Sequence, residues 1–162
     1  MVSLKINGKK IKAQDGTTIL KAARVHGIEI PTLCSNYALE SYGACRLCIV
    51  EIRKNGRVAI ETSCTYPVEE GVEVKTDTPR IIEARKIIVE LHLARSPNVK
   101  VISQLAEEYG ITESAREMGK DNEYCILCGL CVRACNDVVK AGAINFAGSG
   151  IYKVVDSPFS KT

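Results

Sequence analysis

Eight cysteines in 162 residues, set out as two separate groups of four, constrain this chain more than any other feature. Cys34, Cys45, Cys48 and Cys64 have the spacing C-x10-C-x2-C-x15-C, and Cys125, Cys128, Cys131 and Cys135 have C-x2-C-x2-C-x3-C. Whether they serve disulfides or metal depends on compartment. Met1-Val2-Ser3-Leu4-Lys5-Ile6 passes directly into a strand-like alternation with no signal-peptide pattern. No apolar run approaches the roughly 20 residues of a membrane helix. The expected setting is cytoplasmic, without membrane insertion, where thiols stay reduced and cysteines point to metal first. Aromatics are only 5% of the chain, with no Trp. A small core so built gains little from large rings, and metal centres would make up the difference.

In the first set, the close pair Cys45-Arg46-Leu47-Cys48 can loop back and bring two thiolates to one iron, leaving Cys34 and Cys64 for a second iron. Tyr42-Gly43-Ala44 places small residues where backbone must pass near inorganic sulfide, and glycine accepts the unusual dihedrals this requires. A [2Fe-2S] cluster is therefore expected on Cys34, Cys45, Cys48 and Cys64. A structural zinc site fits less well, because zinc sites generally pair two close C-x2-4-C units and this set has only one.

The second set is the run that bacterial ferredoxins use for a [4Fe-4S] cluster. Cys125, Cys128 and Cys131 step three residues at a time around three corners of a cubane, with Ile126, Leu127 and Leu130 to shield it. Asn136 stands where the bacterial run has proline. In two-cluster ferredoxins the fourth cysteine of a run serves the other cluster, and this chain has no second run. Cys135 therefore returns to the same cluster, or yields to a ligand from elsewhere, or serves a second run in a part of the protein outside this sequence.

The formal charge of +3 counts the cysteines as neutral. Each cluster held by four thiolates would add roughly −2, which brings the molecule near neutrality. Lys and Arg are also spread along the chain, so nucleic acid is not an expected partner. Neither a Gly-rich phosphate loop nor a nucleophile–base constellation is present, so no catalytic site is expected in this chain. His26, at a helix end, suits the helix dipole. His92 reads as an interface or surface residue, and a Rieske centre would need two histidines near its cysteines.

The local signals give an α+β chain. Asn7-Gly8 and Asn55-Gly56 each sit between apolar-alternating runs, 2–6 with 9–13 and 49–52 with 58–60, and predict two hairpins. Asp15-Gly16-Thr17-Thr18 opens a short helix that Gly27 closes, and 72–75 reads as a further strand. This predicts a β-grasp, [2Fe-2S] ferredoxin-like domain over 1–78. Thr78-Pro79 then caps a helix over 80–95 stopped by Pro97, and a second helix covers 101–109, giving a helical connector over 79–120. Residues 121–162 form a small [4Fe-4S] ferredoxin-like segment, with a helix from about Gly129 to Lys140 and strands at 143–146 and 151–155. The connector helix carries apolar residues on more than one face, and the excess suggests a partner surface.

Pro31-Thr32-Leu33-Cys34, Tyr42-Gly43-Ala44-Cys45-Arg46-Leu47-Cys48-Ile49-Val50-Glu51 and Thr62-Ser63-Cys64 resemble an N-terminal Fe–S region shared by three groups of proteins. These are the complex I large Fe–S subunit, the diaphorase Fe–S subunit of NAD-reducing hydrogenases, and the catalytic subunit of electron-bifurcating [FeFe]-hydrogenases. Tyr124-Cys125-Ile126-Leu127-Cys128-Gly129-Leu130-Cys131-Val132-Arg133-Ala134-Cys135 resembles their first [4Fe-4S] run. One departure is informative. Where the family has a His-x3-Cys-x2-Cys-x5-Cys site for another cluster, this chain has Ser96-Pro97-Asn98-Val99-Lys100-Val101, without its ligands. The sequence reaches Lys161-Thr162 about where the family's second [4Fe-4S] run would begin, and a small relay subunit without the catalytic module is expected.

The resemblance implies a subunit relaying single electrons within a soluble, flavin-based NAD(P)-linked oxidoreductase of the bifurcating hydrogenase, transhydrogenase or formate dehydrogenase type. Its partners would be flavin- and Fe–S-containing subunits, with a hydrogenase or formate dehydrogenase catalytic subunit among them. Two rivals remain at this stage: a zinc-structured or redox-sensing adaptor, and a freely diffusing two-cluster ferredoxin.

Overall fold

The computed structural model of the chain describes residues 1–114 and 124–157. The polar stretch expected to connect the middle helices to Asp121 lies outside these residues from Ala115 on, as do Lys161 and Thr162. Two compact units divide the chain. One takes Met1–Leu33 and Ser41–Arg85, and the other takes Cys34–Glu40 and the described residues from Lys86 on.

In the first unit, β1 (Val2–Ile6) and β2 (Lys9–Ala13) pair antiparallel around Asn7-Gly8, and β3 (Ile49–Lys54) and β4 (Arg57–Thr62) around Asn55-Gly56. Both turns put two successive residues in the left-handed region: φ is +51° and +81° at the first, +49° and +75° at the second. Asn and Gly tolerate this region best, and such a turn matches the right-handed twist of the strands it joins. The remaining strand, β5 (Glu73–Lys75), lies between the hairpins, parallel to β1 and antiparallel to β3. The five strands of this sheet run in the order β2-β1-β5-β3-β4.

Alternation along these strands buries Leu4, Ile6, Ile11, Val50, Ile52 and Val74 in one core with Ile19, Leu20, Ala22 and Ala23 of helix α1 (Ile19–Val25). The Thr18 side chain caps α1 by accepting the Lys21 amide at 3.3 Å. Gly27, at φ +70°, ends it: Gly27 N–H bonds the Arg24 carbonyl and Ile28 N–H the Ala23 carbonyl, the pair of bonds of a Schellman cap. This is the β-grasp arrangement expected from the sequence.

Helix α2 (Pro79–Arg95) opens in the first unit, where Thr78 Oγ1 accepts the Ile81 amide at 3.3 Å. Its later residues belong to the second unit. Ile81 and Val89 are buried, whereas Ile82 and Ile87 stay exposed. Helix α3 (Lys100–Glu108) ends on Gly110 with the same two Schellman bonds, Gly110 N–H to Glu107 and Ile111 N–H to Ala106.

The helix expected over Gly129–Lys140 takes a different form. A short α-helix, α4 (Leu130–Arg133), widens into a π turn over Ala134–Val138, in which Val139 N–H reaches back five residues to the Ala134 carbonyl. The last strands are shifted from their expected places. They are β6 (Asn145–Ala147) and β7 (Val154–Asp156), paired antiparallel, because Gly150–Tyr152 forms a 3-10 turn instead of strand. Gly148, at φ +68°, is required in this hairpin: a Cβ there would meet the Tyr152 carbonyl oxygen at 2.5 Å. Lys153 Nζ lies 4.1 Å from the Phe146 ring centroid, over its face.

Candidate metal centre

All eight cysteines are thiols rather than disulfides. Those of the first set are buried, with Cys48 and Cys64 packed into the β-grasp core itself.

The β3–β4 register brings these two together. Cys48 immediately precedes β3 and Cys64 follows β4, and the ladder closes on Ile49 opposite Thr62. One step beyond, the Cys48 carbonyl accepts both the Ser63 amide at 3.0 Å and the Ser63 hydroxyl at 2.7 Å. The Cys64 thiol then hydrogen-bonds Cys48 and draws its pKa down from 9.0 to about 7, against burial and the neighbouring Cys45, which both push it up. The thiol contact thus falls between Cys48 and Cys64, which the strand register brings together.

One backbone amide reaches the sulfur of Cys45. Leu33 N–H donates to Cys45 Sγ at 3.4 Å, and Thr32 Oγ1 lies 4.0 Å from it. Between Cys45 and Cys48, Arg46 sits at φ +58°. A left-handed residue in such a loop turns successive N–H groups to one side, the geometry of an anion-holding nest. Gly43, at φ +71°, passes so near Thr65 that a Cβ would lie 3.3 Å from Thr65 Cγ2.

A residue overlooked in the sequence lies directly beneath this loop. Arg85 of α2 is 1% exposed. Its Nε donates to the Leu47 carbonyl at 3.0 Å and Nη2 to the Ile49 carbonyl at 2.8 Å, gripping the backbone on both sides of Cys48. Nη1 forms an ion pair with Asp77 at 2.9 Å.

Cys34 lies in the segment that belongs to the second unit, and there Arg133 of α4 holds its loop. Nη2 of Arg133 donates to the Cys34 carbonyl at 2.6 Å and Nη1 to the Glu40 carbonyl at 2.5 Å. Arg133 thus ties the Cys34 loop to the helix between Cys131 and Cys135.

The second set occupies one short stretch of this unit. Cys125 and Cys128 flank Leu127, at φ +52°, and Gly129, at φ +70°, leads into α4. The Cys125–Cys128 loop therefore repeats the left-handed residue of the Cys45–Cys48 loop. Cys131 is exposed, and Cys135, in the π turn, accepts the Ala143 amide on its sulfur at 3.2 Å. Ser96, fully buried, donates its hydroxyl to the Cys125 carbonyl at 2.9 Å. The position that carries a histidine in the resembling family here supports the backbone of the cysteine run.

Among the described residues, no three His, Cys, Asp or Glu side chains are grouped to hold a single metal ion. A two-iron cluster asks for something else, ligands in two pairs with amides aimed at sulfur. The Cys48–Cys64 contact and the Leu33 amide on Cys45 fit that demand. His26 caps α1, its Nε2 lying 3.2 Å from the Lys12 carbonyl, and His92 is half-buried on α2. Among the described residues no helix is long and apolar enough to cross a membrane.

Fold and cysteine geometry together define the first part of the chain as a β-grasp domain of the iron–sulfur type. Residues 1–79 match the family of the 2Fe-2S iron-sulfur cluster binding domain. Along nearly its whole length the chain is similar to the NADP-reducing hydrogenase subunit HndD of Solidesulfovibrio fructosivorans, at 32% identity over 98% of this chain and 32% of that protein. It is 33% identical to the NADPH-Fe(3+) oxidoreductase subunit alpha of Geobacter sulfurreducens, over 97% of this chain and 21% of that one. The mitochondrial NADH-ubiquinone oxidoreductase 78 kDa subunit of Candida albicans is 28% identical, over 92% and 24%. A chain of the NAD+-reducing [NiFe]-hydrogenase in its H2-reduced state superposes with a TM-score of 0.80 at 29% identity, covering 96% of this chain and 74% of that one. The chain spans about a third or less of the length of these curated relatives. The resemblance read from its motifs is thus to the N-terminal Fe–S region of NAD(P)-linked hydrogenases and complex I.

Proposed function

We propose that this chain is an iron–sulfur relay that passes single electrons within a flavin-based, NAD(P)-linked oxidoreductase complex in the cytoplasm. The observation that carries the reading is the contact of the Cys48 and Cys64 thiols at the end of the β3–β4 hairpin, inside a matched [2Fe-2S] domain. Cys48 and Cys64 would share one iron, with Cys34 and Cys45 on the other. Cys125, Cys128 and Cys131 would hold a [4Fe-4S] cluster with Cys135 as its fourth ligand. The Ala143 amide on the Cys135 sulfur supports that last assignment, because amide bonds to ligand sulfurs are a recurrent feature of such sites.

When bound, the clusters supply one-electron storage at low potential. The chain's own residues supply burial and orientation. The β-grasp core excludes water from Cys48 and Cys64, and Leu33 and Ala143 direct amides at sulfur. The exposed Cys131 would leave the second centre nearer the surface, suited to exchange with a partner subunit. The relatives' names support partners of the hydrogenase and NAD(P)H-oxidoreductase kinds, and bifurcating hydrogenase, transhydrogenase and formate dehydrogenase assemblies are the settings we favour.

The test is reduction in two settings. Anaerobically purified chain should be reduced reversibly by dithionite and left oxidised by NADH or NADPH alone. Adding the flavoprotein that co-purifies with it from its source should let a nicotinamide reduce the clusters. Direct reduction by nicotinamide without flavoprotein, or no reversible reduction at all, would contradict the proposal.

A further inference from the structure

The sheet and its cysteines account for the site without explaining a buried cation beside it. Burying the Arg85 guanidinium is costly unless it is paired and hydrogen-bonded. Its one ion-pair partner among the described residues, Asp77, has a side chain 62% exposed, so water screens the carboxylate more than the guanidinium. Loops seldom need a buried guanidinium merely to satisfy two carbonyls, since water or a neutral donor does this at less cost.

The two carbonyls it takes are those of Leu47 and Ile49, on either side of Cys48. In a planar trans peptide the C=O and the next N–H point in opposite directions. By holding the Leu47 carbonyl, Arg85 therefore fixes the Cys48 amide facing away from itself. The residue sets both the local positive charge and the aim of a backbone donor at one cysteine.

We infer that Arg85 is a positioning residue that raises the reduction potential of the [2Fe-2S] site through its buried positive charge. Adding an electron makes a thiolate-ligated centre more negative, and nearby positive charge favours that state. Net charge and hydrogen bonding are among the levers that set such potentials. The inference rests on the iron–sulfur reading above.

The experiment is an EPR-monitored redox titration of the full-length chain, purified anaerobically, as wild type and as Arg85→Gln, Arg85→Lys and Asp77→Asn. Arg85→Gln should disfavour reduction of the [2Fe-2S] centre at least tenfold, a fall of about 59 mV for one electron. Arg85→Lys, which keeps the charge but not the fork, should stay within about threefold of wild type. Asp77→Asn removes an exposed screening carboxylate and should move the potential the opposite way, upward. It decides the matter should Arg85→Gln fail to fold. Unchanged potentials throughout, equal falls in both Arg85 variants, or a fall in Asp77→Asn would overturn the inference. A wild-type chain with no reducible two-iron signal would instead overturn the iron–sulfur reading itself.

Discussion

Cys48 hydrogen-bonds the side chains of Cys64 and Ser63, and Cys64 has the larger effect on it. Because the Cys64 thiol stabilises its thiolate, its pKa falls from 9.0 to about 7 in the folded, metal-free chain. Between about pH 7 and 9 the unfolded chain then binds more protons than the folded one, so stability rises with pH across that window. Below about pH 7 the contribution is gone. Urea unfolding of the apoprotein at about pH 6.5, 8 and 9 should show this rise, on the order of 2 kcal/mol. Cys64→Ala, which leaves no side-chain donor, should flatten it, and an equal slope in that variant would contradict the assigned cause. Ser96 belongs to the same scale. Ser96→Ala leaves the Cys125 carbonyl without its hydroxyl donor, and should cost about 1–3 kcal/mol by the same unfolding assay.

Between elements, short-range chemistry made much of this fold readable from sequence. Asn7-Gly8 and Asn55-Gly56 demand left-handed turns, Thr18 and Thr78 offer hydroxyls to helix amides, and Gly27 and Gly110 close helices, each through bonds spanning a few residues. What escaped reading depends on residues far apart. Parallel pairing of β1 with β5 joins Lys5 to Glu73, and no local signal announces it. Arg85 and Arg133 look like ordinary helix-surface cations, yet each reaches carbonyls tens of residues away. The pairing of Cys48 with Cys64 required the strand register. The π turn at Cys135 departs from the plain helix that the pattern implied, and π turns recur at functional sites. Arg133 gives this scale its prediction. Arg133→Ala should release the Cys34–Glu40 loop, seen as faster amide hydrogen exchange over 34–40, with β1 to β5 unchanged. Protection of that loop equal to wild type would contradict the tether.

At the scale of the molecule, the spacing of both cysteine sets could be read because it is a covalent property of the chain, and the first set falls within the matched 2Fe-2S region. The β-grasp domain followed from its turns and alternation, and the family match over residues 1–79 agrees with it. That Ser96-Pro97-Asn98-Val99-Lys100-Val101 carries no histidine or cysteine was equally plain. The inward turn of Ser96 onto Cys125 was not, since serine gives no pattern that announces burial. The account's central claim is that eight thiols hold two iron–sulfur clusters. Iron, acid-labile sulfide and zinc per chain, measured on anaerobically purified protein, test it most directly. About six iron and six sulfide, one [2Fe-2S] with one [4Fe-4S], is the predicted result; zinc without sulfide would contradict it.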